Sequence, residues 1–417
     1  MIQKPRGTQD IFAQEAKEWN ALETKLKNIL ARFNFSEIRT PIFEAKELFV
    51  RSVGETSDVV SKEMYDLIDK KGREFVLRPE GTAPTVRALI ENKLYAPEFL
   101  PLKAFYIGPM FRYERPQIGR NRQFHQLGVE VFGPNSFNQD IEVAALAYQL
   151  VKEIGLADKV KIDINFLVTG EGRVRYIEDL KKYLTNFDLC NDCKVRIEKN
   201  TLRVLDCKID GDKFTDAPNM NLYLSEQEEV EFKALIKGLE AIGIKTELNT
   251  KLVRGLDYYT GFIFELKYLE NDLGSQQTLI AGGRYNNLVE DLNGPSTPAA
   301  GFAMGMERII ITLKENGITL VEDDSIDVYT IALSTNAMIL NQKIISDLRN
   351  NGFKVDTDYM NRSMKSAFKQ AEKFKAKNII ILGDQEFESN NIKIKNQITG
   401  TTTEVEVQNL VETLKGE

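Results

Sequence analysis

The chain has 417 residues, of which 42% are hydrophobic and 28% charged, with a formal net charge of −7. This composition excludes global disorder, and the 3 cysteines exclude a disulfide scaffold. The length indicates two or three domains, and the negative net charge means that local basic patches would have to hold any nucleic acid.

The sequence gives no sign of export or membrane insertion. No signal pattern precedes the first charged residues, and no apolar run approaches the ~18 residues of a membrane helix. We therefore expect a cytoplasmic protein without a membrane partner.

The first third of the chain predicts one long helix and a hairpin. Residues 14–33 repeat apolar side chains with helical spacing, and 36–40 form a short extended run closed by Pro41. The stretch EMYDLIDKKGREFVLRP predicts two strands joined by a tight Lys-Lys-Gly turn. A second helix is expected to start near Thr82, with Thr82 as its cap.

The middle of the chain predicts two strands around a charged loop. Residues 102–113 and 123–132 have strand character, and a helix at 138–154 and a strand at 159–167 follow. The segment 170–225 is polar and holds all three cysteines, which indicates an insertion.

Strand patterns resume after the insertion. YYTGFIFELKYL and residues 276–280 predict strands, AGGRYNNL a glycine turn, and GFAMGMERIIITL a small-residue turn leading into a helix. No P-loop or strand-linked Rossmann fingerprint occurs, so arginines on a sheet would have to hold the phosphates of any nucleotide.

The C-terminal part predicts a separate α/β domain. The acidic stretch 321–325 indicates a linker. After it, strands at 328–333 and 378–382 alternate with helices at 337–350 and 363–375.

An arginine-rich stretch, FRYERPQIGRNRQFHQ, interrupts the two central strands. If the first strand continues, Arg112 and Glu114 lie on one face, where a guanidinium can grip phosphate and a carboxylate can accept from an exocyclic amine. That pairing suits an adenine nucleotide. Arg115, Arg120 and Arg122 follow in the loop and could take outer phosphates or an RNA backbone. The alternative is a solvated hairpin tip with scattered charge.

Two more arginines fit an anion site. Arg308 lies in the first turns of a helix with a glycine-rich N-terminus, and Arg254 stands in VRGLDYY. The alternative for each is an ion pair with a nearby carboxylate such as Glu307 or Asp257.

Three other features favour structural interpretations. His125, the only histidine, is expected to form structural hydrogen bonds. The pair Cys190 and Cys193 suggests zinc, but Cys207 alone does not complete a second ligand pair, so no metal site is expected. The basic run 362–377 is a solvated helix face or an RNA-facing surface.

Several motifs together resemble the histidyl branch of the class II aminoacyl-tRNA synthetases. Residues 14–41 are similar to motif 1, FRYERPQ to motif 2 and GFAMGMER to motif 3. The stretches RGLDYYTGFIFE and AGGRYNNL are typical of the histidyl branch, and LRPEGT and RQFHQLGVE also fit.

The resemblance implies an α+β fold, with an antiparallel sheet core flanked by helices. It further implies a class II catalytic core over 1–320, a small insertion at 170–225 within it, and an α/β anticodon-binding domain over 326–417. The motif 1 resemblance implies a homodimer.

The resemblance also assigns site residues. Arg254 and Arg112 are the implied catalytic residues, with Arg254 near the substrate carboxylate and Arg112 at the α-phosphate. The residues implied for histidine are Glu80, Thr82, Arg112, Gln126, Glu130, Arg254, Tyr258 and Tyr259. Those implied for ATP are Arg112, Glu114, Arg120, Phe124 and Arg308, and those implied for the tRNA acceptor end are Arg115, Gln117 and Arg122.

The implied activity is ATP-dependent, Mg²⁺-assisted activation of L-histidine and its transfer to the 3′ end of tRNA(His). An alternative is the non-catalytic regulatory subunit of ATP phosphoribosyltransferase, which resembles the same core. A third possibility is an ATP-dependent amide ligase of class II fold that uses no tRNA. Retention of Arg112, Arg254 and Arg308, and the domain after the linker, favour the synthetase.

Overall fold

The computed structural model describes residues 1–54, 57–270 and 277–416. The chain divides into two compact units, Met1–Leu320 and Val321–Glu417, so the boundary falls at the acidic stretch. None of the helices in the described ranges is long and apolar enough to cross a bilayer.

The first unit contains helices and strands that we number in chain order. Its helices are α1 Ala13–Arg32, α2 Lys46–Val53, α3 Thr82–Glu91, α4 Phe137–Glu153, α5 Gly170–Leu184, α6 Asn191–Lys199, α7 Glu226–Ala241, α8 Leu288–Asp291 and α9 Met306–Glu315. Its strands are β1 Ser36–Glu37, β2 Phe43–Ala45, β3 Tyr65–Ile68, β4 Glu74–Leu77, β5 Leu102–Phe111, β6 Gln123–Phe132, β7 Val160–Leu167, β8 Glu247–Leu248, β9 Thr260–Tyr268, β10 Thr278–Arg284 and β11 Ala299–Gly305.

Within the described residues, eight of these strands form one sheet in the order β1-β5-β6-β11-β10-β9-β7-β8. The inner pairs are all antiparallel, and only the edge strands β1 and β8 pair in parallel. The predicted α+β fold, an antiparallel sheet flanked by helices, is confirmed.

Helices α1 and α4 cover this sheet because each has one apolar face. The buried side chains of α1 recur every three or four residues: Trp19, Leu22, Leu26, Ile29 and Leu30. They join Val143 and Leu150 of α4 and Leu127 and Val129 of β6 in one core. Burial of each aliphatic side chain among these contributes about 1.5–3 kcal/mol to the free energy of folding. The predicted apolar face of α1 therefore holds this helix against the sheet.

The predicted hairpin is present as β3 and β4, with β2 added along β4. Gly72 has a φ of +79° at the turn, which a residue with a Cβ adopts only with strain. The hairpin prediction is therefore confirmed, and the turn has a local cause.

Two predicted turns are strands instead. Ala281, Gly282 and Gly283 lie inside β10, and the small residues after Ala299 form β11. A Cβ on Gly282 would lie 2.2 Å from the backbone oxygen of Gly301 on the neighbouring strand. These glycines permit close approach between strands, not a turn. Residue 276 of the predicted strand 276–280 lies outside the described residues.

The polar segment 170–225 is helical, with α5 and α6 followed by short 3₁₀ turns. It still buries apolar side chains, including Tyr176, Leu184 and Phe214. These belong to one cluster with Ile263 of β9. The segment thus packs against the large sheet and contributes to a hydrophobic core of the first unit.

The second unit contains α10 Thr335–Asn350, α11 Met364–Lys373, α12 Asp384–Ser389 and α13 Leu410–Lys415. Its strands are β12 Val328–Ala332, β13 Val355–Thr357, β14 Asn378–Leu382, β15 Asn391–Asn396 and β16 Thr402–Glu406. They form a mixed sheet in the order β13-β12-β14-β15-β16. Helix α11 buries Ala367 and Ala371 and exposes lysines at four-residue spacing, as a solvated basic face does.

Candidate active site

A cavity of about 630 Å³ opens in the first unit. It is lined by residues that the sequence analysis drew from separate stretches: Glu80, Thr82, Arg112, Glu114, Arg120, Phe124, Gln126, Glu130, Arg254, Tyr258, Tyr259 and Arg308. Strand pairing explains part of this convergence, because β6 places Gln126 opposite Gly305 and Glu130 opposite Gly301 of β11. The guanidinium groups of Arg112, Arg254 and Arg308 therefore share one cavity.

Arg112 is held at the cavity wall by a carbonyl and a ring. Its Nε donates to the Pro79 carbonyl at 2.9 Å, and its guanidinium carbon lies 5.2 Å from the Phe124 ring centroid. These contacts fix the side chain while leaving its charge available to an anion.

The prediction that Arg112 and Glu114 lie on one face of a strand is wrong. Strand β5 ends at Phe111, and the Glu114 N–H donates to the Arg112 carbonyl at 2.8 Å, which closes a three-residue turn. The turn ends the pleat before Arg112. Both side chains still line the cavity.

The loop arginines are not simply a solvated hairpin tip. Arg120 Nε lies 2.6 Å from the Glu114 carboxylate, in a turn where Gly119 has a φ of +67°. Arg122 Nε donates to the Glu114 carbonyl at 3.1 Å. Arg115 and Gln117 are exposed, and neither they nor Arg122 are among the described residues that line the cavity.

Arg308 follows the first residues of α9, as predicted. Its Nε donates to the Gly119 carbonyl at 3.0 Å and its Nη1 to the Thr278 carbonyl at 2.7 Å. Burial, reinforced by the neighbouring Arg120 and Arg112 guanidinium groups, lowers the pKa of Arg308 to about 10. The cavity therefore concentrates positive charge that an anion would relieve.

Glu307, the carboxylate suggested as a partner for Arg308, is hydrogen-bonded to His125 instead. It accepts from the His125 backbone N–H at 2.9 Å and lies 3.0 Å from His125 Nδ1. The His125 ring also packs edge-on against Trp19 with centroids 5.0 Å apart. The structural interpretation of His125 agrees with this geometry.

Arg254 forms an ion pair with Glu265 and lies 5.6 Å from the Tyr259 ring centroid. Burial lowers the pKa of Arg254, but the Glu265 carboxylate and further neighbours outweigh it, so the pKa is raised. Asp257, the partner suggested from sequence, instead accepts from Asn200 Nδ2 at 2.6 Å. The predicted ion pair exists, but its carboxylate is Glu265 of strand β9, 11 residues further along the chain.

Glu80 caps the helix α3. Its carboxylate accepts from the backbone N–H groups of Thr82 and Ala83 at 2.7 and 2.8 Å, where the helix dipole favours a negative charge. Thr82 is therefore not the cap, contrary to the prediction. Its hydroxyl donates to the Glu130 carboxylate at 2.8 Å. Because Glu80 accepts from the first N–H groups of the helix, the Thr82 hydroxyl is available to Glu130 in the cavity.

Glu130 is 1% exposed and lines the cavity among other buried residues, Thr82, Tyr258, Tyr259 and Tyr285, which together we call its closed end. Besides Thr82, the Tyr106 hydroxyl donates to it at 3.2 Å, and the Tyr285 hydroxyl also donates to it. Burial raises the pKa of Glu130 to about 8, against hydrogen bonds that lower it. This end of the cavity holds a carboxyl group that can change its protonation near neutral pH.

Aromatic rings form the wall beside Glu130. The Tyr258 and Tyr259 ring centroids lie 4.8 Å apart, and those of Tyr258 and Tyr285 5.5 Å apart. Gln126 adds an amide whose oxygen is buried without a hydrogen-bond donor among the described residues. The closed end thus suits a small ligand with a flat ring and a donor group.

The protonation of Glu130 predicts a pH-dependent stability. The unfolded carboxyl loses its proton near its ordinary pKa of 4.5, whereas the folded one keeps it until about 8. The stabilisation is therefore complete at low pH and lost as pH rises through this window, by up to roughly 1.4 kcal/mol per pH unit. We expect the free energy of urea unfolding of the wild type to fall with pH relative to that of Glu130→Gln. Glu98→Gln, at an exposed position, is the control, and a pH-independent difference for Glu130→Gln would contradict the prediction.

Comparison with known proteins identifies the family. The family model for histidyl-tRNA synthetase matches residues 7–168 and 199–309, and the model for the anticodon binding domain matches 327–417. The protein named histidine–tRNA ligase from Mesoplasma florum is 52% identical over 100% of this chain and 91% of its own length. The chain belongs to the histidyl-tRNA synthetase family.

Other histidyl-tRNA synthetases agree in sequence and fold. The histidine–tRNA ligase of Mycoplasma capricolum is 53% identical, with 100% of both chains covered. The apo histidyl-tRNA synthetase structure from S. aureus is 38% identical, with a TM-score of 0.86 over 100% of both chains. A structure titled ATP phosphoribosyltransferase regulatory subunit/histidyl-tRNA synthetase, from Bacillus halodurans, shares the fold at 21% identity and a TM-score of 0.67, covering 92% of this chain and 98% of its own.

Sequence reasoning missed three residues that complete this synthetase-family site: Tyr106, Tyr285 and Glu265. Glu265 could have been noticed as a lone carboxylate in the apolar strand β9. Gly128 within a predicted strand indicates a close approach, but only the structure shows that the neighbour is Tyr106, whose ring would lie 2.0 Å from a Cβ at Gly128. Tyr285 lies in AGGRYNNL, and nothing in that stretch indicates its contact with Glu130.

Proposed function

We propose that the chain activates L-histidine with ATP to form histidyl-adenylate and transfers histidine to the 3′ end of tRNA(His). Similarity along the whole chain to proteins named histidine–tRNA ligase carries this conclusion. The cavity supports it, because Arg112, Arg120, Arg254 and Arg308 line it together with Glu130 and aromatic rings.

ATP would bind on the arginine side of the cavity. In this proposal Arg112 contacts the α-phosphate, Arg308 and Arg120 bind the outer phosphates, Phe124 stacks on the base and Glu114 accepts from the adenine amine. The crowding that lowers the pKa of Arg308 supports an anion site there. Arg120 would have to share Glu114 with the amine, because these two side chains form an ion pair.

Histidine would fill the closed end. Glu80, Thr82 and Gln126 hold its ammonium group in this proposal, and the buried Gln126 oxygen offers an acceptor for it. Glu130 and Tyr259 read the imidazole, and Tyr258 lines the pocket. An apolar analogue would leave these buried polar groups without partners, and that penalty is a strong means of discrimination.

The chemistry needs positioning and charge neutralisation more than a protein nucleophile. A carboxylate oxygen of histidine attacks the α-phosphorus of ATP, and pyrophosphate leaves. A ribose hydroxyl at the tRNA 3′ end then attacks the acyl carbon, and AMP leaves. Arg254 and Arg112 bind the reacting carboxylate and the α-phosphate, where negative charge develops.

Mg²⁺ belongs to the proposal as an ion bound largely by ATP oxygens and water. The protein offers oxygen donors of the type it prefers, since Asp206 and Glu265 line the cavity beside Arg254. These two carboxylates would supply its protein ligands, beside the ATP oxygens and water. When bound, the ion neutralises phosphate charge.

A homodimer is also part of the proposal. Its support is the motif 1 resemblance of residues 14–41 and the exposed apolar side chains of Ile42 and Phe43 directly after Pro41. The cytoplasmic location stays a prediction from sequence.

The regulatory-subunit alternative is not favoured. The relatives that match this chain over its length at about half identity are named histidine–tRNA ligases. The anticodon binding domain model matches 327–417, which also disfavours a ligase that uses no tRNA. The Bacillus halodurans structure, at 21% identity, shows a shared fold and no more.

The experiment that tests the proposal is amino-acid-dependent ATP–pyrophosphate exchange. We expect exchange with histidine at a rate at least about 10⁴ times that with the other standard amino acids, because the pocket is built to hydrogen-bond its ligand. Omission of the protein and omission of Mg²⁺ are the controls. Absence of exchange with histidine would rule out the enzyme.

A separate prediction concerns the exposed tip of the motif 2 loop. We expect Arg115→Ala and Gln117→Ala to raise the KM for tRNA(His) in charging while histidine-dependent exchange stays within about twofold. The reason is that both side chains are exposed and lie outside the cavity lining, so they can reach RNA without touching ATP. Lys70→Ala, exposed on another hairpin, is the control. Loss of exchange in either variant would contradict the assignment.

A further inference from the structure

A second cluster of reactive side chains lies in the 170–225 segment, outside the substrate-binding roles proposed above. The ligand atoms of Cys190, Cys193, Cys207 and Asp210 all lie within 4.8 Å of one another. The sulfur atoms of Cys190 and Cys207 are 3.8 Å apart. Cys193, Cys207 and Asp210 are buried, and Cys190 is half-buried.

The four residues form two pairs with the same spacing. Cys190 precedes α6 and Cys193 lies in its first turn, while Cys207 and Asp210 sit in the turn that the Gly211 N–H closes on the Cys207 carbonyl at 2.8 Å. The expectation of no metal site rested on the lack of a second ligand pair at suitable spacing. Asp210 completes that pair, since carboxylate oxygen is also a zinc ligand.

We propose that Cys190, Cys193, Cys207 and Asp210 bind one Zn²⁺ ion in a closed, tetrahedral, structural site. Zinc–sulfur bonds of about 2.3 Å place two sulfurs of a tetrahedron about 3.8 Å apart. The distance between the Cys190 and Cys207 sulfurs equals that edge. Four protein ligands leave no open position, which is the arrangement of structural zinc sites.

The geometry disfavours two other uses of the cysteines. A disulfide requires sulfurs about 2.05 Å apart and gives no role to the carboxylate of Asp210. An iron–sulfur cluster places several iron and sulfide atoms between its ligands, whereas these four ligand atoms surround a space for one ion.

The surroundings suit a bound dication. The Cys207 sulfur accepts from the backbone N–H groups of Ile209 and Asp210 at 3.4 and 3.5 Å. The Asp210 carboxylate accepts from the Cys190 N–H at 2.8 Å and from Lys213 Nζ at 2.7 Å. Three thiolates and a carboxylate exceed the charge of Zn²⁺, and these donors and Lys213 offset the excess.

The proposed zinc site fixes one wall of the substrate cavity. Asp206, Cys207, Lys208 and Ile209 all line that cavity. Arg203 donates to the Gly255 carbonyl, next to Arg254, and Arg196 donates to Asp58 at 3.1 Å. Zinc would therefore hold the insertion against the loop that carries Arg254.

The test measures metal in the full-length protein. After dialysis against a weak chelator, elemental analysis by mass spectrometry should find one zinc per chain. Replacement by Co²⁺ should give the intense absorption of tetrahedral cobalt with thiolate ligands. We expect Cys190→Ser and Asp210→Asn to lower zinc affinity at least about 100-fold, and Asp212→Asn, at an exposed position two residues away, to leave it unchanged.

Measurements on the wild-type protein alone can contradict the proposal, so the test does not depend on whether the variants fold. Substoichiometric zinc after incubation with ZnCl₂, with all three thiols open to alkylation, would contradict it. So would an octahedral cobalt spectrum, or a Cys190–Cys207 disulfide found by peptide mass mapping. Zinc analysis does not depend on histidine activation, so its failure is distinct from failure of the proposed enzyme.

Discussion

Replacement of Arg254 by alanine is expected to reduce histidine-dependent ATP–pyrophosphate exchange by about 10³-fold or more, with most of the loss in kcat. Arg254 is half-buried at the cavity wall and is the cation proposed to stabilise charge as carboxylate attacks phosphorus. Arginines that serve phosphoryl transfer in this way contribute 10³–10⁵ in rate, so the expected loss is about 4 kcal/mol or more of transition-state stabilisation.

The Arg254→Ala protein should still fold. Its ion-pair partner, Glu265, keeps a second cation, because Lys267 Nζ lies 3.2 Å from the Glu265 carboxylate. The melting temperature and far-UV circular dichroism check this. Lys251→Ala, exposed and three residues away, should retain full exchange. Exchange within tenfold of the wild type in Arg254→Ala would show that its assigned role is wrong.

The second large effect is expected for histidine recognition by Glu130. We expect Glu130→Gln to raise the KM for histidine about 100-fold while the KM for ATP changes by less than about threefold. The amide keeps the side-chain volume but cannot lose a proton when a ring N–H or a cationic ring binds, as the carboxyl group can, and it fixes an N–H donor in place of one oxygen. That donor would face the hydroxyl groups of Thr82, Tyr106 and Tyr285, which now donate to Glu130. An unpaired buried polar group costs about 1–3 kcal/mol, which covers a 100-fold change.

Steady-state exchange kinetics at varied histidine and varied ATP separate the two KM values. Glu98→Gln makes the same chemical change at an exposed position and should alter neither. A histidine KM within threefold of the wild type would remove Glu130 from recognition of the imidazole. A parallel rise in the ATP KM would instead indicate a general distortion of the cavity.

The family was recognisable from sequence because its motifs are local. FRYERPQ, GFAMGMER and RGLDYYTGFIFE each lie in one continuous stretch, and together they contain six predicted site residues that line the cavity: Arg112, Glu114, Arg254, Tyr258, Tyr259 and Arg308. The long helices were equally accessible, since α1 repeats its apolar side chains with a period that a short window contains. The hairpin turn at Gly72 is likewise a local event.

The prediction from local sequence was right for the helices and wrong for the glycines in the sheet, because the cause of a glycine there is not local. Local propensity associates adjacent glycines with turns. Gly282 instead lacks a side chain because the Gly301 backbone of the neighbouring strand occupies that space. That neighbour is remote in the chain, so no short window contains the cause.

By itself, the sequence determined the family, the long helices, the hairpin, the α/β pattern after the acidic stretch and the arginines that surround the cavity. Only the tertiary structure decided which side chains contact each other: Arg254 with Glu265, Glu130 with Tyr285, and Cys207 with Cys190. Periodicity and turn chemistry are set by neighbours along the chain, whereas these contacts depend on strand register and on the packing of the 170–225 segment. Register and packing arise from the whole folded sheet, so that even Arg254 and Glu265, which both lie in RGLDYYTGFIFE, could not be paired from that stretch alone.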